Sequence, residues 1–104
     1  MPTVNVNITG TTDVDVVVPP KHRKVKVVFL RVYNAGTSDS VLTLKQISPD
    51  SSVNKTVDII PISANQVEVV TAEKMVYDLD RGFKLAGVLD AAGDVKVTVT
   101  YELE

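Results

Sequence analysis

Val95-Lys96-Val97-Thr98-Val99-Thr100-Tyr101-Glu102-Leu103 alternates apolar and polar side chains without interruption. Successive side chains of a strand point to opposite faces, so this stretch has one apolar face for a core and one wet face for solvent. Upstream, Ala91-Ala92-Gly93-Asp94 supplies turn chemistry. The same alternation recurs at the other end of the chain, where Val4, Val6 and Ile8 alternate with Thr3, Asn5, Asn7 and Thr9. Gly10-Thr11-Thr12 allows a turn, after which Val14, Val16 and Val18 alternate with Asp13, Asp15 and Val17. Pro19-Pro20 removes two backbone donors and ends that strand, leaving Lys21 to Arg23 in a loop.

Between these ends the pattern continues in shorter pieces. Lys24 to Asn34 sets Val25 and Val27 in one phase and Val28, Leu30 and Val32 in the other, so either both faces are covered or a bulge shifts the register near Val27. A long central strand closed by Asn34-Ala35-Gly36, where Asn and Gly tolerate positive φ, fits this stretch. Val41 to Ile47, Lys55 to Ile62, Val67 to Thr71 and Phe83 to Leu89 read as further strands; Pro61 suggests an edge, and Ser48 to Val53 a polar loop. Thr71 to Leu79 is the one helix candidate, but Lys74 stands where a capping box wants Glu, and the segment reads as a turn or one loose helical turn.

Composition agrees. The chain has 104 residues, among them 21 Val and 10 Thr, which are stiff at χ1 and suit a pleated surface. The expected fold is all-β: a single antiparallel β-sandwich over residues 1–104, of jelly-roll or Greek-key type, with eight to nine strands. No apolar run approaches the ~18 residues that span a bilayer. Met1-Pro2-Thr3 lacks a secretory pattern, so synthesis in the cytoplasm is expected.

Chemistry is sparse. With no cysteine and one histidine, His22, neither a thiolate site nor a convergent imidazole site can be built. His22 lies between Lys21 and Arg23, whose charges lower its capacity as a base. The acids Asp13, Asp15, Asp78, Asp80, Asp90 and Asp94 come in pairs. Asp78-Leu79-Asp80-Arg81-Gly82 lacks the third acid and the terminal bidentate Glu of a calcium loop. Five aromatic residues (Tyr 3, Phe 2) offer little stacking surface for a glycosidase cleft. Asn7-Ile8-Thr9 and Asn54-Lys55-Thr56 match the glycosylation acceptor pattern, with no secretory signal to deliver them. The reading is of a protein without enzymatic activity, metal or cofactor. A net charge of -2 gives no field for nucleic acid or an anionic membrane, and neither is an expected partner.

Two groups of residues remain as contact candidates. Lys21, Arg23, Lys24 and Lys26 are the densest charge cluster, suited to docking on an acidic protein surface. Val28, Leu30 and Val32, out of phase with Val25 and Val27, are candidates for a subunit interface, which would bury about 800 Å² per partner.

The order of pieces resembles small virion proteins of tailed bacteriophages. It lies in Tyr33-Asn34-Ala35-Gly36-Thr37 at the end of a long strand, Ile60-Pro61-Ile62, the Leu-x-x-Gly step Leu79-Asp80-Arg81-Gly82-Phe83-Lys84-Leu85, and the final strand from Ala92. An Asp usually follows the glycine of that step in the phage pattern, where this chain has Phe83. The resemblance covers about residues 20 to 104 and concerns layout. It implies a virion structural protein, such as a capsid decoration, head, tail or fibre module, that forms homo-oligomers and docks on other virion proteins. A carbohydrate-binding or adhesive β-sandwich module is the alternative.

Overall fold

The computed structural model describes residues 2–71 and 77–104. It is a two-sheet antiparallel β-sandwich of jelly-roll or Greek-key type. The strands are β1 (Thr3–Ile8), β2 (Val14–Val17), β3 (Val25–Asn34), β4 (Ser40–Ile47), β5 (Asn54–Ile62), β6 (Val67–Thr71), β7 (Tyr77–Asp78), β8 (Lys84–Leu89) and β9 (Val95–Leu103). One sheet runs β1–β9–β3–β6, with β7 also paired to β3; the other runs β2–β8–β4–β5. The strand read first from the sequence lies inside its sheet, between β1 and β3, with Val95, Val97 and Val99 buried against the opposite sheet. Pro61 lies on β5, an edge strand, the place in a sheet where a residue without an N–H is tolerated.

The core is aliphatic. Ile8, Val25, Leu30, Val32, Val95, Val97 and Val99 of the first sheet meet Leu42, Leu44, Ile60, Ile62, Leu85 and Leu89 of the second. At Gly87 the facing sheet leaves no room for a side chain: a Cβ there would stand 2.5 Å from Ile8 Cδ1. Tyr77 ties the sheets at the β5–β7 margin, its hydroxyl donating to Asp58 Oδ2 at 2.5 Å.

Bulges account for two departures from simple alternation. In β3 the pairing with β9 shifts between Val27 and Phe29, leaving Val28 as the extra residue. Val25 and Val27 before the bulge, and Leu30 and Val32 after it, therefore all face inward and are buried. Leu30 and Val32 thus belong to the domain core, which corrects the expectation that they leave it for a subunit interface. Val28 is half-buried. The bulge also marks where β3 changes partners, since β7 pairs with Lys26 and Val27 and β6 with Phe29 to Tyr33. The β2 pairing shifts between Asp15 and Val17, which buries Val17 and leaves Val18 66% exposed, reversing the expected roles of these two valines.

Turn chemistry departs in one place as well. Neither Asn34 nor Gly36 is among the residues at positive φ. Asn34 is buried and works through its side chain: Nδ2 donates to the Ser38 carbonyl at 2.9 Å and the Ile62 carbonyl at 3.1 Å, and Oδ1 accepts from Gly36 N–H at 3.0 Å. Gly82 does need its freedom, with φ at +79° and an added Cβ 2.5 Å from the Lys21 carbonyl oxygen. The turn expected over 71–79 lies partly in β6 and β7, and its middle, residues 72–76, falls outside the described residues.

Candidate functional site

The residues singled out for charge are pulled apart by the fold. Arg23 faces the last strand, its Nη2 donating to the Leu103 carbonyl at 3.0 Å and its Nε to the Glu104 carbonyl at 3.2 Å. Lys24 pairs with Asp78 at 3.5 Å. Lys26 stands in register between Asp78 on β7 and Glu102 on β9. Lys21 is exposed and lines a hollow with Val18, Pro19, Pro20 and Pro49. Among the described residues neither Lys21 nor Lys26 makes a side-chain hydrogen bond or ion pair, and of the two Lys21 is exposed and Lys26 half-buried. His22 is exposed, and its carbonyl accepts from Arg81 Nη1 at 2.7 Å.

The acids are distributed as structural partners. Asp13 holds Lys45 at 3.1 Å, Asp15 holds Lys84 at 2.9 Å and Asp80 holds Lys55 at 3.1 Å. Asp50 accepts from the hydroxyls of Ser48 and Ser52, both at 2.7 Å, and from Ser52 N–H at 3.0 Å, which hold its carboxyl down at about 2. Burial, followed by the Asp58 hydrogen bond, pushes the Tyr77 phenol above its ordinary range. Among the described residues no three His, Cys, Asp or Glu side chains converge as a metal cluster would require. What these contacts build is a β-sandwich module whose charged side chains are largely engaged with one another.

The surface best organised for a ligand is one the sequence reading passed over, the outer face of the β1–β9–β3–β6 sheet. Strand register assembles it row by row: Asn5, Thr98, Arg31 and Val69 in one, Asn7, Lys96, Tyr33 and Val67 in the next, Thr3, Thr100 and Phe29 in a third. Over β1, β9 and β3 lies a shallow groove of about 410 Å³, whose side-chain contacts come from Asn5, Asn7, Arg31, Lys96 and Thr98. Cross-strand bonds fix it: Thr98 Oγ1 donates to Asn5 Oδ1 at 2.7 Å and Lys96 Nζ to Asn7 Oδ1 at 3.1 Å. The Arg31 guanidinium lies 5.9 Å from the centroid of the Tyr33 ring. At the rim, Val67 and Val69 are 42% and 39% exposed on edge strand β6. The alternation of polar residues on β1 and β9 was legible in the sequence, but their convergence with Arg31 depends on the β1–β9–β3 pairing, which no local signal announces.

No known protein family matches the chain, and no curated protein matches it by sequence. Solved structures do match in fold. PirA superposes with a TM-score of 0.60 at 13% identity, over 96% of this chain and 93% of PirA. The Drosophila NLP core, described for pentamer formation and histone binding, gives 0.50 at 12% identity over 98% of this chain and 99% of its own. A subunit of the disulfide-linked pili that form Bacillus endospore appendages gives 0.50 at 16%, over 99% and 87%. At these identities the likeness is one of fold.

Proposed function

We propose that the chain is a glycan-binding or adhesive β-sandwich module whose contact surface is the outer face of the β1–β9–β3–β6 sheet. The observation that carries this reading is the groove in which two amides, a hydroxyl, a guanidinium and an ammonium converge on a rigid sheet beside Tyr33. Sugar recognition needs fixed polar groups for ring hydroxyls and an aromatic ring for the C–H face, and a paired sheet holds such groups without ordering a loop. A glycan array probed with the labelled chain tests it. Retention on a defined set of glycans that is lost in Asn5→Ala/Asn7→Ala supports the reading, and an array without signal rejects it.

A second reading, self-association as a structural subunit of a phage virion, is favoured by Val67 and Val69. An edge strand with exposed valines is a template for another chain. The pentameric and pilus-forming proteins of similar fold are assemblies, which supports the same reading. Light scattering that finds a closed oligomer, dispersed by Val67→Lys/Val69→Lys, would favour it over the first.

A further inference from the structure

The hydrogen-bonding polarity of the groove narrows the ligand. We infer that it takes an acidic glycan, a sugar chain bearing carboxylate or sulfate groups, with Arg31 as the anion contact; this rests on the glycan-binding reading above. Lys96 has three N–H donors and no acceptor, so Asn7 must turn its oxygen to it, which leaves the Asn7 Nδ2 group as a donor to the groove. Asn5 Oδ1 is likewise taken by the Thr98 hydroxyl, leaving Asn5 Nδ2 as a second donor. Arg31 adds the five N–H donors of a planar fork matched to an oxyanion, on an exposed side chain.

Among the described residues no acidic side chain lines the groove. The acid nearest to it in the ion-pair network is Asp94, which reaches Lys96 at 3.8 Å. Arg31 has no carboxylate partner among the described residues and rests on Tyr33 instead. The groove is therefore richer in donors than in acceptors, its acceptors being the Thr98 oxygen and the second lone pairs of the two amide oxygens. A neutral sugar, whose hydroxyls donate as well as accept, would leave some of its donors unmatched, at a cost in affinity. A carboxylate or sulfate only accepts. The positive charge is local: Lys26 at the far end of the face is flanked by Asp78 and Glu102, and the whole chain carries -2. The described residues form no long cationic track for nucleic acid on this face.

Isothermal titration of the chain with three oligosaccharides of equal length tests this: an oligogalacturonate, a heparin-derived sulfated oligosaccharide and a neutral cello-oligosaccharide. At least one acidic oligosaccharide should bind, with the neutral one at least tenfold weaker, and the stronger of the two acidic arms identifies the anion. Arg31→Ala should weaken that binding about tenfold or more, and Arg31→Lys should restore part of it, because charge returns without the fork. Lys45→Ala on the opposite face serves as the control and should change nothing. Equal affinity for the neutral sugar, or an Arg31→Ala variant that is folded by circular dichroism and binds normally, would overturn the inference while leaving glycan binding intact. Equal affinity for single-stranded DNA would overturn it as mere polyanion attraction. Absence of binding to all three sugars would count against the parent reading too.

Discussion

On the outer face of the β2–β8–β4–β5 sheet, Lys45 reaches Asp13 and Lys84 reaches Asp15 across neighbouring elements. On the opposite outer face Arg31 lies over Tyr33 with no carboxylate partner among the described residues, and the adjacent amides have their oxygens engaged and their N–H groups free to donate. Both faces are wet and both contain cations. A paired surface cation has its charge answered by a neighbour and contributes little to folding, with exposed pairs worth about 0–1 kcal/mol. An unpaired guanidinium held beside other donors keeps its charge for a ligand. Charge count therefore says less about function than whether each charge is already answered within the fold.

The largest expected effect separates the two sides of one strand. Val97 is buried in β9 and Thr98, the next residue, faces the groove. Val97→Asp should bury a carboxylate with no partner, costing about 3 kcal/mol or more, whereas Thr98→Asp should cost less than about 1 kcal/mol. Thr98→Asp should nevertheless abolish ligand binding, because it sets an acid beside Arg31 and gives that face the pairing its opposite already has. Denaturant melts and the titrations above check both halves; equal melts would mean that the register of β9 is misassigned.

Next comes the bond that joins the sheets. Tyr77→Phe removes the donor to Asp58 and should cost about 1–2 kcal/mol, with groove binding unchanged. The folded protein raises the phenol above its ordinary value of 10.0, so it favours the neutral form. That contribution is complete below pH 10.0 and is lost as pH rises through the folded value, so Tyr77→Phe should lose part of the wild-type alkaline destabilisation in melts run up the pH scale.

A smaller effect separates two cations that the sequence presents as equals. Arg23 bonds the carbonyls of Leu103 and Glu104, and Lys21 stands exposed. Arg23→Glu should lower stability by about 1–2 kcal/mol and Lys21→Glu by less than about 0.5 kcal/mol. Thermal melts of the two variants decide whether the basic segment is one surface or, as the contacts indicate, one clamp and one solvated charge.

These cases show how far the sequence could be read. Alternation around Val4, Val97 and Leu42 is a local property, and it led directly to the sandwich. The double phase of Val25 to Val32 left open either two covered faces or a bulge near Val27, and the structure has the bulge; that it keeps Leu30 and Val32 inside depends on pairing with β9, a partner more than sixty residues away. The same distance hid the candidate site. Asn5, Arg31 and Thr98 are unremarkable residues separately, and only the order β1–β9–β3 brings them into one row. Conversely, Lys21, Arg23, Lys24 and Lys26 are neighbours in sequence, and the fold engages the side chains of Arg23 and Lys24 while Lys21 stands exposed.

Two turns at the ends of β4 are held by different chemistry, one crossing from β3 in the other sheet and one closing the β4–β5 hairpin. At one, the buried amide of Asn34 accepts from Gly36 N–H and donates to two carbonyls, and nothing in it titrates. At the other, the exposed carboxylate of Asp50 accepts from Ser48, Ser52 and the Ser52 amide, which hold it at about 2 instead of 3.8. A carboxyl lowered by folding stabilises the turn at pH above 3.8 and loses that contribution as pH falls through about 2. The Ser52 amide resonance should accordingly titrate with a midpoint near 2, and the amide of Val53, bonded to Ser48 Oγ, should move with it. Gly36 should stay flat over the same range. Asp50→Asn should remove the titration at Ser52 without moving Gly36, because the two turns share no hydrogen-bonded group. A Ser52 midpoint at the ordinary carboxylate value would mean that the serine hydroxyls do not hold Asp50 in solution, and the contrast between a titrating turn and a fixed one would then be lost.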